Sequence, residues 1–60
     1  KAAFVHIGDG CFLGIGAVIQ PNVRLGRRCI VGSNAVVRSG DYPDGSVLAG
    51  VPAKIVRRIQ

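Results

Sequence analysis

The sequence predicts an all-β solenoid in which short parallel strands stack into one column. Three observations favour this fold class: aliphatic residues recur every six positions, small side chains recur with the same period, and turn-forming residues separate them. The aliphatic series consists of Ile7, Leu13, Ile19, Leu25, Val31 and Val37. A period of six is neither the helical period of about 3.6 residues nor the alternation of a single strand, so it indicates stacked repeats.

Each six-residue unit divides into a turn and a very short strand. The turns are rich in residues that tolerate tight or left-handed backbone, and they cover residues 8–10, 14–16, 20–22 and 32–34. In the strands that follow, the first and third residues point to the same side. The aliphatic residues are therefore expected to share one interior with the smaller residues Cys11, Ala17, Val23, Cys29 and Ala35. Such units bury an interior only beside their neighbours.

The sequence pattern ends at Asp41, and the predicted organisation changes there. Residues 41–45 contain proline and an Asp-Gly pair, which predict a loop, and residues 46–49 have the composition of one more short strand. We therefore expect β-helix coils in residues 1–42 and a loop, a short strand and a helix in residues 43–60.

The predicted helix is a short C-terminal α-helix that begins near Pro52, because proline suits the first helical turn. On a helix, residues three and four apart share one side. That side would carry the cations Lys54, Arg57 and Arg58. They would bind a ligand or, alternatively, only complement the helix dipole from solvent.

Composition and charge narrow the classes of protein to consider. Sixty residues make at most one small domain, and the formal net charge of +5 favours an anionic partner. The sequence lacks the spacing of a helix-turn-helix or zinc finger and has only three aromatic residues, so no nucleic-acid partner is expected. Neither a membrane span nor a secretory leader is visible, which predicts a cytoplasmic protein. We also expect further chain upstream of Lys1.

No metal is expected either. Cys11 and Cys29 are predicted to stack inside the column as reduced core residues, whereas His6 should point outward because it precedes the inward Ile7. These three side chains do not make the compact tetrahedral ligand set that zinc favours.

Residues 7–37 resemble the hexapeptide-repeat acyltransferase family, and residues 49–57, AGVPAKIVR, resemble its C-terminal signature. The chain looks most like the sugar and capsule O-acetyltransferases. The resemblance implies a left-handed parallel β-helix of triangular section with three hexapeptides per turn. Residues eighteen apart would then stack, with Leu13 on Val31 and Arg24 on Tyr42.

The resemblance also implies a homotrimer whose acyl-donor clefts lie between neighbouring prisms. Two outward ladders, Phe12 with Ile30 and Val18 with Val36, are apolar and fit such packing. The alternative is that they are scattered surface hydrophobes, which most proteins have.

For function, the resemblance implies transfer of acetyl from acetyl-CoA to a hydroxyl of a sugar or polysaccharide precursor. The positions that match the family's donor-binding residues are Gly14, Ile15, Ser33, Arg38, Lys54 and Arg57. Many members have Thr-Lys or Thr-Arg after the last strand, whereas this chain has Arg38-Ser39-Gly40 with one apparent extra residue. The chain therefore departs from the family pattern at the position of this expected phosphate contact.

His6 is the only histidine of the sequence, and acyl transfer to a hydroxyl needs a general base that works near neutral pH. In the family, the catalytic histidine usually lies further upstream than the first residue present here. We therefore expect the base outside this chain, with His6 as the alternative candidate.

Two other functions share the predicted fold. A γ-type carbonic anhydrase-like enzyme would need three histidines on zinc, and only His6 is available. A non-catalytic β-helix module would serve only to hold a trimer together. Histidines upstream of Lys1, and their spacing, would distinguish the three possibilities.

Overall fold

The computed structural model describes residues 4–59, which form nine short strands and no helix. In chain order the strands are β1 (Val5–Ile7), β2 (Phe12–Leu13), β3 (Val18–Ile19), β4 (Val23–Leu25), β5 (Ile30–Val31), β6 (Val36–Val37), β7 (Gly40–Tyr42), β8 (Ser46–Gly50) and β9 (Ala53–Arg58). Residues 1–3 and 60, which belong to the two predicted units, lie outside the described residues. The all-β class predicted from the repeat is confirmed. Among residues 4–59 there is no helix that could span a membrane.

The strands form three sheets, one for each side of a column. We call them the β1 face (β1-β4-β7), the β2 face (β2-β5-β8-β9) and the β3 face (β3-β6). Pairing among β1 to β8 is parallel, and partners in the first two coils are eighteen residues apart, as in Leu13 beside Val31. This register confirms the predicted stacking of each residue on its counterpart three hexapeptides later.

The third coil is one residue shorter than the second. Its partners are seventeen residues apart, so that Asp41 lies beside Arg24. The cause is the connection between β6 and β7, which consists of residues 38–39 alone, whereas residues 20–22 connect β3 to β4. The prediction that Arg24 lies beside Tyr42 is therefore wrong, and Tyr42 takes an inward position instead.

Stacking continues past Asp41, where the sequence pattern stops. β7 pairs with β4 and β8 pairs with β5, which completes two sides of a third coil. The pattern disappears because the third coil is one residue shorter. The inward positions held one coil below by Leu25 and Val31 therefore fall on Tyr42 and Leu48, one residue earlier than a period of six predicts.

The interior contains the predicted aliphatic and small residues. The buried apolar residues are Val23, Leu25, Cys29, Val31, Ala35, Val37, Leu48 and Ala53. Inward residues of the first coil are more exposed: Leu13 keeps 40% of its surface exposed, whereas Val31 beside it keeps none. Because each Å² of buried apolar surface contributes roughly 25 cal/mol, the second coil supplies most of the hydrophobic stabilisation.

Cys11 and Cys29 are free thiols in the interior, as predicted. The Cys11 Sγ donates to the carbonyl of Gly26 at 3.1 Å, and the Cys29 Sγ donates to the carbonyl of Pro43 at 3.3 Å. Each thiol thus ties its own coil to a turn of the next coil.

The C-terminal segment is a strand rather than a helix. β9 runs antiparallel to β8, with Ala53 beside Gly50 and Ile55 beside Leu48. Without β9, the edge of β8 would leave backbone donors and acceptors unpaired, and the β-branched Ile55 and Val56 suit a strand. The prediction of a short C-terminal α-helix is therefore wrong. It rested on local sequence signals, which take no account of the hydrogen-bond partners that the edge of β8 offers to a strand.

Candidate functional site

The turns that follow strands β2, β5 and β8 of the β2 face form a column that we call the second corner (residues 14–16, 32–34 and 50–52). The first two lead to the β3 face, and the third turns the chain from β8 back to β9. Ile15 and Ser33 occupy its first two turns and are exposed, and the Ile15 carbonyl accepts a hydrogen bond from the Asn34 N–H at 2.9 Å. Gly14, which the resemblance places among the donor-binding residues, also has a role in coil packing. A Cβ at Gly14 would lie 2.6 Å from the Ser33 nitrogen, so the glycine permits close approach of the next coil.

Arg38 and Lys54 line one depression of about 420 Å³, beyond the last strand of the β3 face. The other lining residues are Gln20, Ser39, Tyr42, Pro52 and Ala53. No carboxylate is present among the described residues that line it, and both cations are exposed. Since Pro52 also belongs to the second corner, the depression adjoins the column of Ile15 and Ser33. Two cations that line one depression, with no carboxylate among its described lining residues, attract an anionic group.

Three hydrogen bonds fix the short connection that carries Arg38. The Ser39 hydroxyl donates to the Pro21 carbonyl at 2.6 Å, and the Gly40 N–H donates to the Asn22 carbonyl at 3.0 Å. Both tie the connection to the turn one coil below. The Tyr42 hydroxyl donates to the carbonyl of Arg38 itself at 2.7 Å.

Arg57 does not line this depression. It lies in β9 beside Val47, while Lys54 lies beside Ala49, and a β-bulge separates the two pairs. Val47 and Ala49 flank the buried Leu48, so they point outward, and the bulge keeps Lys54 and Arg57 on that same outer side. About three residues of strand, or roughly 10 Å, separate the two cations. Arg57 therefore belongs to the edge of the β2 face.

His6 lies on another side of the column. It is exposed in β1 beside Arg24, on the outer side of the β1 face. It lines a second depression of about 470 Å³ with, among others, Asp9, Arg24, Arg27 and Asp44. His6, the alternative candidate for the general base, thus lies on a different face from the depression lined by Arg38 and Lys54.

Tyr42 is the residue of the site that the sequence did not single out. It lines both depressions and contacts the buried core. The count of eighteen placed it on the outer surface beside Arg24, and only the two-residue length of the connection before β7 could have indicated otherwise.

Within residues 4–59, no group of three or more His, Cys, Asp or Glu side chains could hold a metal ion. Cys11 and Cys29 point into the column, whereas His6 lies on its outer surface. Thiol and imidazole ligands are therefore on opposite sides of the sheets, and zinc requires its ligands in one tetrahedral shell.

Sequence comparison relates the chain to known transferases. Residues 4–39 match the family model described as bacterial transferase hexapeptide (six repeats). The chain is 40% identical over 58 residues to the putative lipopolysaccharide biosynthesis O-acetyl transferase WbbJ of Escherichia coli (strain K12), covering 97% of this chain and 29% of that protein. It is 42% identical over 58 residues to the 2,3,4,5-tetrahydropyridine-2,6-dicarboxylate N-acetyltransferase of Staphylococcus aureus (strain JH9), covering 97% and 24%. The chain thus spans less than a third of these curated relatives.

Solved structures share the fold. A maltose O-acetyltransferase from Clostridium difficile 630 superposes with a TM-score of 0.86 at 32% identity, over 93% of this chain and 29% of that one. The acetyltransferase VCA0836 from Vibrio cholerae, solved with acetyl-CoA, gives 0.87 at 34% identity over 93% and 30%. PerB from Caulobacter crescentus, solved with CoA and GDP-perosamine, gives 0.80 at 47% identity over 85% and 24%. Because the family model covers more than half of the sequence, the chain belongs to the bacterial transferase hexapeptide family.

Proposed function

We propose that the protein containing this chain is an acetyl-CoA-dependent O-acetyltransferase that acts on a hydroxyl of a sugar or polysaccharide precursor. The observation that carries the proposal is the position of Arg38 and Lys54 in one depression that adjoins the second corner. A guanidinium and an ammonium group are the side chains best suited to bind phosphate, which CoA carries.

Each predicted donor-binding residue has a role in this proposal. Arg38 and Lys54 bind phosphate, and Arg57 supplies positive charge farther along β9. Ile15 and Ser33, exposed at the second corner, present backbone groups to the pantetheine arm. Gly14 acts indirectly, because it lets the coils approach closely enough to align these turns.

Names of similar proteins support the acceptor class. The names of WbbJ and the Clostridium difficile enzyme describe O-acetyl transfer in lipopolysaccharide biosynthesis and on maltose, and PerB was solved with GDP-perosamine. The Staphylococcus aureus relative is named as an N-acetyltransferase. Both O-acetyl and N-acetyl transfer thus occur among similar proteins, and we propose O-acetyl transfer, with a hydroxyl acceptor, for this one.

In the proposed reaction, the acceptor hydroxyl oxygen attacks the thioester carbonyl carbon and the carbon–sulfur bond breaks. The hydroxyl proton passes to a general base, CoA leaves as the free thiol, and backbone N–H groups stabilise the oxyanion. His6 lies on the β1 face, away from Arg38 and Lys54. Because the family's catalytic histidine usually lies further upstream than the residues present here, we assign the base to a histidine outside this chain.

That assignment predicts that His6→Gln leaves kcat within about threefold, whereas loss of a true general base lowers kcat by about a hundredfold or more. Steady-state kinetics of acetyl transfer would measure it. A loss of the larger size, with unchanged binding of CoA, would make His6 the base.

The direct test combines calorimetry with CoA and release of free thiol from acetyl-CoA in the presence of sugar acceptors. Arg38→Ala and Lys54→Ala should each weaken CoA binding about fivefold or more, because each removes a charge-assisted contact. Arg24→Ala is the control, since it removes an exposed cation from the β1 face. Neither CoA binding nor thiol release with any sugar would contradict the proposal and favour a non-catalytic module.

A further inference from the structure

Tyr42 differs from the other residues around the cationic depression because it connects the core to the backbone of Arg38. In β7 it lies beside the buried Leu25, and it packs against the core cluster. Its hydroxyl nevertheless donates to the Arg38 carbonyl at 2.7 Å, so one side chain joins the interior to the connection that carries a proposed phosphate ligand.

The shortened connection makes this contact possible. Because only residues 38–39 separate β6 from β7, Tyr42 moves from an outward to an inward position, where its ring approaches Gly40. A Cβ built at Gly40 would lie 3.9 Å from the Tyr42 hydroxyl oxygen, within ordinary van der Waals contact. The ring therefore lies against Gly40, and its hydroxyl donates a hydrogen bond to the Arg38 carbonyl.

The other two bonds of the connection cannot replace this one. The Ser39 hydroxyl and the Gly40 N–H bind carbonyls of the turn below, and neither contacts the peptide group of Arg38. Arg38 is exposed, so its long side chain loses rotamer freedom when it binds an anion. If the backbone of Arg38 is already fixed before the anion binds, less conformational entropy is lost on binding.

We infer that Tyr42 is a positioning residue for the phosphate contact: its hydroxyl holds the Arg38 backbone so that the guanidinium lies beside the Lys54 ammonium. The inference rests on the proposed function, in which these two cations bind the phosphates of the acyl donor. Tyr42 also lines the depression, so its ring forms part of the surface beneath the bound group. It takes no part in the transfer of the acetyl group.

The test is Tyr42→Phe in the protein that contains this chain, since phenylalanine keeps the ring and its packing but removes the hydroxyl. Calorimetry should show CoA binding weakened about fivefold, the effect of one hydrogen bond. Acetyl transfer from S-acetylpantetheine, which has the same arm without nucleotide phosphates, should keep its kcat/KM. A purely structural role would instead weaken both donors or only lower the melting temperature.

Two further variants make the result specific. In an Arg38→Ala background, Tyr42→Phe should cause no additional loss of CoA affinity, because the residue through which it acts is gone. Ser46→Ala is the matched control: it removes another hydroxyl-to-carbonyl bond, from Ser46 to Pro43 at 2.6 Å, at a turn outside the depression. It should change stability and leave the preference for CoA over the pantetheine donor unaltered.

The outcomes separate this inference from the proposed function. If the unaltered protein does not bind CoA, the proposed function fails and the inference fails with it. If the unaltered protein binds CoA, three results would overturn only the role of Tyr42. Tyr42→Phe could bind CoA equally well, could impair the use of both donors equally, or could still lower CoA affinity in the Arg38→Ala background.

Discussion

At the scale of single residues, glycines at equivalent positions of successive coils are under different constraints. Gly14 and Gly32 both begin a turn of the second corner and are eighteen positions apart. A Cβ at Gly14 would lie 2.6 Å from the Ser33 nitrogen, but one at Gly32 would come no closer than 3.4 Å, to the Leu48 carbonyl oxygen. Only the first collides with the backbone of the coil above.

We therefore predict that Gly14→Ala lowers the free energy of unfolding by about 2 kcal/mol or more, since backbone that is already hydrogen-bonded must move. Gly32→Ala is the matched control and should change it by less than about 1 kcal/mol. Chemical denaturation followed by circular dichroism would measure both. Equal losses would show that alanine is excluded by the turn itself rather than by coil packing.

Inward residues of the first two coils could be predicted from the sequence because their period is unbroken. Leu13 beside Val31 and Ile19 beside Val37 follow directly from a count of eighteen. Tyr42 could not be placed in this way, because deletion of one turn residue moves every later side chain to the opposite side of its strand. Arg38 and Lys54 were both predicted to contact phosphate from the family resemblance, but the count of repeats could not show that they line one depression.

At the scale of elements, β9 shows where local signals are insufficient. Pro52 and the cations that follow it are compatible with a helical turn, and the spacing of Ile55, Val56 and Ile59 gives that helix an apolar side. A helix of about eight residues is marginal without tertiary contacts. The free edge of β8 provides such contacts only to a strand, and pairing there satisfies the backbone of both segments.

The end of β9 depends on Gly45. The Ile59 N–H donates to the Gly45 carbonyl at 2.7 Å, and a Cβ at Gly45 would collide with the Ile59 carbonyl oxygen. Gly45→Ala should therefore detach this end of the strand, and we expect the amide of Ile59 to exchange its hydrogen much faster. Hydrogen exchange followed by mass spectrometry or NMR would detect the change.

Gly10→Ala is the control for this prediction. Gly10 and Gly45 have nearly the same positive φ, 75° and 76°, so both alanines carry the same backbone penalty. At Gly10, however, the nearest atom to the added Cβ is the flexible Arg28 side chain at 3.4 Å. Faster exchange at Ile59 in both variants would mean that backbone strain, and not the collision with β9, is responsible.

At the scale of the whole molecule, the three faces differ in outer surface. The β1 face presents the polar row His6, Arg24 and Asp41. The β2 face presents Phe12, Ile30 and Val47, and the β3 face presents Val18 and Val36. Phe12 and Val18 keep 65% and 50% of their surface exposed. Contiguous apolar ladders on two faces of three favour a partner surface over scattered hydrophobes.

We propose that these two faces pack in a homotrimer of the protein that contains this chain. Phe12→Lys should then reduce the trimer to monomer in light scattering coupled to gel filtration, because a buried unpaired ammonium costs several kcal/mol at each interface. Asp41→Lys introduces the same side chain on the polar β1 face and should leave the mass unchanged. Because Phe12 is mostly exposed in a single chain, its replacement should hardly change the fold, and circular dichroism would verify this. An unaltered protein that is monomeric at micromolar concentration would contradict the homotrimer.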